Sequence, residues 1–296
     1  MLVLEVFRYL KRRADKRPVS LSNFVSMGSH HGQRTVEPKV SIIIPTRDKY
    51  EMLRACIDSI QKTTTYGNYE IVVINNASSE GQTLEYFELL RSSGIAVLDY
   101  PYEFNYSKIS NFGASNTESD YLCFLNNDTE VVEPNWLGLL IDHAVQPNVG
   151  VVGSKLLYPD GSIQHMGVAL GYTGAAGHPL SGEMPGGTTS MKHADSCFEV
   201  SAVTFACAVT SRKNFKLANG LDSDFKVGLN DIDFALRLKS RGKRNVICGQ
   251  SCVIHHESKS RKSTSSFSGG ARATLEVLRF LKTYGRQLDS DYFFRP

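Results

Sequence analysis

Short apolar runs alternate with amphipathic stretches through most of this chain. Residues 40–45, 69–74 and 121–125 are rich in β-branched or aromatic side chains, a composition typical of strands buried in a sheet. Between the first two runs, apolar residues recur at helical spacing over residues 50–63. This alternation predicts βαβ units with parallel strands, and therefore an α/β fold.

The same patterns predict the remaining elements. Ile232, Ala235 and Leu236 fit helical spacing and Gly242 fits a C-cap, which predicts a helix with Asp231 and Asp233 in its first turn. Residues 167–190 are rich in Gly, Pro, Ser and Thr, which predicts long, mobile loops over a site. We also expect helices over residues 83–91, 104–114, 136–145 and 274–284, and strands over residues 95–100, 149–157, 198–210 and 245–254.

Polar residues follow three of the predicted strands. Thr46 and Asp48 follow the first strand, Asn75 follows the second, and Asn127 and Asp128 follow the strand that ends at residue 125. Ligands of open α/β sheets bind at the carboxyl ends of the strands, so these side chains are placed for a hard cation or a phosphate. The same Asn-Asn-Asp-Thr run is also ordinary turn chemistry, and on its own it leaves both interpretations open.

Composition narrows the class of protein. A length of 296 residues and 41% hydrophobic content suit one large α/β domain or two closely joined halves. A net charge of +3 gives no reason to expect a nucleic-acid partner. The six cysteines are scattered, and two lie in apolar runs, which indicates reduced thiols in a cytoplasmic protein. No apolar run approaches the ~20 residues that a membrane-spanning helix needs.

The ends of the chain differ from its middle. In residues 1–13 a short apolar part precedes a basic cluster, which is the reverse of a secretory signal. We favour a helix that packs on its own domain or on a partner, with peripheral contact at the inner face of the membrane as the alternative. The predicted organisation is a basic helix and linker over 1–39, a folded domain over 40–262, and a flexible segment and helix over 263–296.

Five separated motifs together resemble family 2 glycosyltransferases. They are VSIIIPTRD at residues 40–48, INNAS at 74–78, FLNNDT at 124–129, LNDIDF at 229–234 and HHESKSR at 255–261. The resemblance is strongest to the bacterial branch that builds O-antigen and other surface polysaccharides, including proteins assigned as rhamnosyltransferases. It implies a GT-A fold, in which helices flank a mostly parallel central sheet and one domain has a nucleotide-binding and an acceptor-binding half.

The resemblance also implies a reaction. A nucleotide-diphosphate sugar donor, a divalent cation such as Mg²⁺ or Mn²⁺, and inversion at the anomeric carbon are expected, with a glycan or a lipid-linked molecule as acceptor. Asp128 matches the metal-binding acid of the family, His255 matches the late histidine that completes the metal site or contacts the diphosphate, and Asp231 matches the catalytic base. Without the resemblance, Asp231 and Asp233 would be interpreted as acids that complement a helix N-terminus, and His255 as a histidine at a strand end.

Other positions follow from the same resemblance. Asp233 and Arg237, four residues apart, are predicted to form an ion pair that orients the helix. Two positions depart from the family: Asn75 replaces an acid that reads the base edge in many relatives, and Asn230 replaces a frequent Glu. The residues implied on the donor or acceptor side are Thr46, Asp48, Asn75, Asn105, Ser107, Asn111, Asn127, Gln164 and His165.

Three other interpretations compete with a transferase. A catalytically silent module that binds sugar nucleotides or glycans is compatible with Asn75 and Asn230. A nucleotidyltransferase would need a glycine-rich basic loop after the first strand, and residues 45–48 are not one. Cys248, Cys252, His255 and His256 could be interpreted as a zinc site, but their spacing is unusual and no second cysteine pair follows.

Overall fold

Thirteen short strands recur through the part of the chain that the structure describes. This computed structural model describes residues 26–27, 36–172, 175–185, 194–256, 270–289, 291 and 293. The predicted N-terminal basic helix lies outside these ranges. The strands are β1 (Ser26–Met27), β2 (Val40–Thr46), β3 (Tyr69–Asn75), β4 (Ala96–Asp99), β5 (Tyr121–Leu125), β6 (Thr129–Val131), β7 (Val149–Leu157), β8 (Ile163–His165), β9 (Ala169–Leu170), β10 (Ala176–Gly177), β11 (Cys197–Val200), β12 (Cys207–Ser211) and β13 (Arg244–His255).

Helices cover both faces of the sheet that most of these strands form. One core contains α1, α2 and α4 side chains, and the other contains side chains of α3, α5, α6 and α7. The bounds are α1 (Tyr50–Thr63), α2 (Gly81–Ser92), α3 (Tyr106–Ser115), α4 (Trp136–Ala144), α5 (Arg212–Leu217), α6 (Asn230–Lys239) and α7 (Gly270–Tyr284), which a 3-10 helix, Gly285–Asp289, follows. The predicted α/β architecture with helices on both sides of a central sheet is confirmed.

The first half of the sheet is parallel. Its order is β4-β3-β2-β5, and every neighbouring pair runs in the same direction. Ile42, Ile43 and Ile44 are fully buried, as expected for a strand covered on both faces. The predicted helix over residues 50–63 is present as α1, because its buried side chains recur at helical spacing and face the sheet.

The second half of the sheet is mixed. It continues from β5 as β12-β7-β13-β11-β1; β7 and β13 pair in parallel, whereas β12 and β11 run antiparallel to their neighbours. Two short strands extend this half, with β6 on β13 and β8 on β7. The sequence pattern predicted βαβ units with parallel strands, and it did not predict the antiparallel strands β11 and β12 of this half.

The predicted strand over residues 198–210 is wrong, because two strands and a loop occupy that segment. β11 pairs with β13 and β12 pairs with β5 and β7, so the chain between them must cross β13 and β7. Residues 204–206 of this crossing line the cavity described below. The apolar side chains that suggested a continuous strand serve the core instead, and Val203 and Phe205 are buried.

The C-terminal helix α7 packs on the domain. Phe280 is fully buried against Phe225, and the Tyr284 hydroxyl donates to the Asp233 carboxylate at 2.7 Å. The Glu276 carboxylate accepts from the backbone N–H groups of residues 226–228 at 2.7, 3.2 and 3.1 Å. Helix α7 thereby holds a loop that borders the cavity. None of the described helices is long and apolar enough to cross a bilayer.

Candidate active site

A cavity of about 420 Å³ opens at the carboxyl ends of β2 and β5. The residues after these strands form one wall, and the crossing loop, the start of α6 and the end of β13 form the other. Its lining combines polar side chains with a few apolar ones. The lining residues are Pro45, Thr46, Arg47, Lys49, Met52, Asn76, Phe104, Tyr106, Ile109, Asn126, Asn127, Asp128, Thr204, Phe205, Ala206, Val227, Asn230, Asp231 and His255.

Asp128 and His255 meet at one side of this cavity. Strand β6 pairs with the end of β13, and the His256 N–H donates to the Asp128 carbonyl at 2.8 Å, so residues distant in sequence become neighbours. The His255 Nε2 and Asp128 Oδ1 atoms lie 3.0 Å apart. Burial raises the pKa of the Asp128 carboxyl, but the hydrogen bond and charge of His255 outweigh it and lower that pKa overall.

Gln164 orients the His255 ring from behind. Its Oε1 lies 2.5 Å from His255 Nδ1, and its Nε2 donates to the His255 carbonyl at 3.3 Å. Because an amide oxygen only accepts, Nδ1 carries a proton in this arrangement. In the charged ring, Nε2 carries a second proton that bonds to Asp128, and this is the form that lowers the pKa of Asp128. In the neutral ring, Nε2 and Asp128 Oδ1 are two acceptors 3.0 Å apart, which a cation between their lone pairs satisfies.

Asp231 lies in the first turn of α6 and faces the same cavity. Its carboxylate accepts from the backbone N–H groups of Ile232, at 2.8 Å, and Phe205, at 3.3 Å. Burial raises the pKa of the Asp231 carboxyl despite these bonds. Leu229, the residue before α6, has a left-handed φ of 62°, a strained conformation for leucine that sharply redirects the chain as it enters α6.

Asp233, two residues further along α6, does not line the cavity and instead bonds to side chains of the fold. Its Oδ2 pairs with Arg237 at 2.7 Å and its Oδ1 accepts from the Tyr284 hydroxyl. Arg237 also donates to the carbonyls of Ala218 and Gly220. The predicted ion pair that orients this helix is therefore present.

Thr46 and Asn127 connect the two strand ends beneath the cavity. The Asn127 amide donates to Thr46 Oγ1 at 2.9 Å, and both residues line the cavity. Asp48 lies outside the lining: its carboxylate accepts from the N–H groups of Ser79 at 2.6 Å and Glu80 at 2.8 Å. These two hydrogen bonds lower the pKa of the Asp48 carboxyl, and the bond from Glu80 has the larger effect.

Comparison with known proteins places this site in a family. The family model for "Glycosyl transferase family 2" matches residues 41–216, which is more than half of the chain. The chain belongs to glycosyl transferase family 2. The predicted resemblance is thereby confirmed.

Two curated relatives extend the match. This family 2 chain is 40% identical over 228 residues to the O-antigen biosynthesis protein RfbC of Myxococcus xanthus, covering 76% of the chain and 18% of that protein. It is 40% identical over 246 residues to the uncharacterized protein y4gI of Sinorhizobium fredii (strain NBRC 101917 / NGR234), covering 81% of the chain and 27% of that protein. The chain thus spans about a quarter or less of the length of these relatives.

Solved structures show the fold. GalNAc-T7 with UDP, GalNAc and Mn²⁺ superposes with a TM-score of 0.64 at 14% identity, over 85% of this chain and 50% of that one. The mannosyltransferase PcManGT of Pyrobaculum calidifontis, in complex with GDP-Man and Mn²⁺, superposes with a TM-score of 0.58 at 14% identity, over 96% and 82% of the two chains. The family 2 chain therefore has the predicted GT-A fold.

Several residues predicted at the donor lie elsewhere in the family 2 structure. Asn105, Ser107 and Asn111 do not line the cavity. Their side chains donate to the carbonyls of Ser223 at 2.9 Å, Phe225 at 2.6 Å and Leu221 at 2.8 Å, respectively. They hold α3 to the loop that leads into α6, since a buried backbone carbonyl needs a donor.

Asn75 and His165 also lie behind the lining. Asn75 donates to the Asp99 carboxylate at 2.8 Å, so an acid lies beside Asn75 on the neighbouring strand β4. His165 accepts from the Thr204 N–H at 3.4 Å and lies 2.9 Å from His178, between their Nδ1 atoms. Burial lowers the pKa of His165 well below its usual value, so it supports the crossing loop as a neutral ring.

The motifs missed several lining residues of the family 2 site. Arg47 and Lys49 bring two positively charged side chains to the cavity. Arg47 could have been predicted there, because it lies within the VSIIIPTRD motif and an arginine is a common ligand of phosphate groups. Thr204, Phe205 and Ala206 gave no such signal, because their position depends on the strand order of the sheet.

Proposed function

We propose that this chain is a metal-dependent, inverting glycosyltransferase that moves a sugar from a nucleotide-diphosphate donor to a hydroxyl of a glycan or lipid-linked acceptor in surface polysaccharide synthesis. The observation that carries the proposal is one cavity that presents both the Asp128–His255 pair and the Asp231 carboxylate. The name of the Myxococcus xanthus relative supports the polysaccharide class, and the solved neighbours with UDP or GDP-Man support the donor class.

Asp128 and His255 would hold the divalent cation, Mg²⁺ or Mn²⁺. Their facing acceptor atoms fit a cation, and Gln164 fixes the ring in the tautomer that leaves Nε2 free to bind it. When bound, the cation neutralises the charge that develops on the leaving diphosphate. Arg47 and Lys49, at the same cavity, add positive charge on the side of β2.

Asp231 would act as the base. The acceptor oxygen forms its bond to the anomeric carbon on the face opposite the diphosphate, the bond to the diphosphate oxygen breaks, and the acceptor proton moves to the carboxylate of Asp231. A raised pKa suits this role because a more basic carboxylate takes the proton more readily. The backbone N–H groups of Phe205 and Ile232 fix the orientation of the carboxylate.

Donor hydrolysis tests the proposal without an identified acceptor. A panel of UDP-, GDP- and dTDP-sugars with Mg²⁺ or Mn²⁺ should contain a donor that the chain hydrolyses slowly, with water in the place of the acceptor. We expect Asp231→Asn to lower this rate by about 100-fold or more. The donor should still stabilise the variant in a thermal-shift assay, by about 2.7 kcal/mol at 100 times the dissociation constant.

Asp58→Asn is the matched control, because Asp58 is an exposed acid on the outer face of α1. Its hydrolysis rate should equal that of the wild type. Donor binding without turnover in the wild type would instead identify a silent sugar-nucleotide-binding module. Loss of donor binding in Asp231→Asn would show that Asp231 binds the donor rather than acting as the base.

A further inference from the structure

Three side chains of types that ligate metals meet in a buried cluster outside the cavity lining. His143 lies in α4, Cys197 begins β11 and Cys248 lies in β13. Their ligand atoms all lie within 4.8 Å of one another, and all three residues are buried. None of them lines the cavity, and the proposed transfer reaction uses none of them.

The sheet brings the two cysteines together. Cys197 and Cys248 are directly opposite each other on the antiparallel strands β11 and β13, so both side chains point to the same face. Helix α4 packs on that face and supplies His143. The two Sγ atoms lie 2.7 Å apart. Sequence spacing could not reveal this set, because its members are 54 and 51 positions apart (197 − 143 and 248 − 197).

The backbone of β13 bulges directly after Cys248. Pairing of β13 with β7 skips from Cys248 to Cys252, which leaves residues 249–251 as a bulge. A Cβ at Gly249 would lie 2.2 Å from the Ala194 carbonyl oxygen, so the tight approach requires glycine.

The imidazole is buried and has a ring nitrogen without a hydrogen-bond partner in the described part of the chain. His143 is 2% exposed, and its Nδ1 atom has no hydrogen-bond partner among the described residues. Buried polar atoms are almost always paired with protein, water or an ion.

We propose that His143, Cys197 and Cys248 form a binding site for a thiophilic metal ion, Zn²⁺, separate from the cation of the transfer reaction. Two thiolates and an imidazole are a ligand set that Zn²⁺ takes, with water as a fourth ligand. This proposal does not rest on the proposed transferase activity. Mg²⁺ and Mn²⁺ prefer oxygen ligands, so the two sites select different ions.

A disulfide between Cys197 and Cys248 is the competing state. With Zn–S bonds of about 2.3 Å and tetrahedral angles, two bound thiolates lie about 3.8 Å apart, so one side chain must turn and move its sulfur by about 1 Å. A disulfide instead needs the sulfurs to approach to about 2.05 Å. The imidazole distinguishes the two states, because a disulfide makes no use of His143 whereas a metal ion is bound by it.

Cobalt is the probe, because Co²⁺ takes zinc sites and its thiolate bonds give a charge-transfer absorption in the near ultraviolet. The full chain is reduced, treated with a chelator, freed of it and titrated with Co²⁺. We expect this absorption to saturate at one Co²⁺ per chain and to disappear on addition of Zn²⁺. Co²⁺ at Asp128 and His255 has no sulfur ligand, so it contributes no such band.

The variants locate the site. Cys248→Ser and His143→Gln should each weaken Co²⁺ binding by 10-fold or more, whereas Cys252→Ser should bind as the wild type does. Cys252 is the matched control because it lies four positions further along β13, outside the cluster. Loss of the band in Cys252→Ser would overturn the assignment.

The wild type alone can also overturn the proposal, so it does not depend on a variant that folds. Absence of a thiolate band in the reduced protein would do so. Thiol titration after denaturation identifies the reason: six free thiols would mean that the cysteines bind no metal. Four free thiols in unreduced protein, in place of six, would mean that one disulfide forms, and finding all five remaining thiols free in unreduced Cys248→Ser would identify Cys197 and Cys248, whose sulfurs are 2.7 Å apart, as the pair.

Discussion

At the scale of single residues, the candidate site depends on acids that are kept in unusual environments. Asp231 and Asp128 line the same cavity, yet burial raises the pKa of the first and His255 lowers that of the second. Opposite shifts suit opposite tasks, since a base must take up a proton whereas a metal ligand must stay ionised. The surroundings of each carboxylate, rather than the residue type, suit Asp231 to the proposed role of base and Asp128 to the proposed role of metal ligand.

The raised pKa of Asp231 predicts a cost in stability at neutral pH. Between the ordinary pKa of an aspartate and the raised one, the folded chain holds a proton that the unfolded chain has lost. The contribution of Asp231 to stability is therefore present at acid pH and is lost as pH rises through the raised pKa. We expect Asp231→Asn, which carries no charge, to be more stable than the wild type at pH 8 by about 1 kcal/mol.

Urea unfolding at several pH values from 4 to 8, a range that begins near the ordinary pKa of an aspartate, measures this difference. The advantage of Asp231→Asn should grow as pH rises and become constant above the raised pKa. Asp58→Asn, at an exposed position, should show no growth with pH. A variant less stable than the wild type at pH 8 would show that the hydrogen bonds of the carboxylate matter more than its burial.

At the scale of elements, the sequence predicted the features that local periodicity determines. It did not predict the features that depend on pairing between strands distant in sequence. Helix α1 was predicted over its full length, because its apolar spacing is set within fourteen residues. The motifs also brought Asp128, Asp231 and His255 to one edge. The loop at residues 204–206 was missed because it exists only through the strand order of the sheet, and Cys197 meets Cys248 only through the register of β11 on β13.

Polar residues near a motif were the other group whose surroundings the sequence did not predict. Asn105, Ser107 and Asn111 stand where the family approaches the nucleotide, but each serves a distant carbonyl. Gln164 shows the reverse case. It was predicted to line a pocket, and the structure places it behind His255, where β8 lies on β7 and reaches the end of β13. Sequence gives residue types, whereas hydrogen-bond partners depend on packing.

The placement of β8 predicts a role for Gln164 in metal affinity. Gln164→Leu removes the acceptor that fixes the His255 tautomer, and loss of such a partner typically weakens metal binding by about 10- to 100-fold. Gln164→Glu keeps an acceptor oxygen at that position and should bind Mn²⁺ within a few-fold of the wild type. Calorimetric titration with Mn²⁺ measures both variants. Wild-type affinity in Gln164→Leu would contradict the tautomer argument.

At the scale of the whole molecule, residues from both halves of the sequence line the cavity. The first half supplies the strand ends of β2 and β5, and the second half supplies the crossing loop, α6 and the end of β13. Helix α7 then secures the loop before α6, since Glu276 accepts three backbone N–H groups there and Tyr284 bonds to Asp233. Helix α7 therefore stabilises the loop of residues 226–228 at the cavity although it contributes no lining residue.

This arrangement predicts the effect of removing the Glu276 carboxylate. Glu276→Ala leaves three N–H groups of residues 226–228 without their acceptor, so the loop should open more often, with a cost of about 1–3 kcal/mol. Lys226 is exposed in this loop, and trypsin should cleave after it about 10-fold faster or more in the variant. Leu275, the exposed neighbour of Glu276, provides a matched control, because Leu275→Ala truncates a side chain on the surface of α7 and leaves the bonds to the loop in place. Equal cleavage rates at Lys226 in all three proteins would show that the bond from Tyr106 N–H to the Lys226 carbonyl holds the loop without α7.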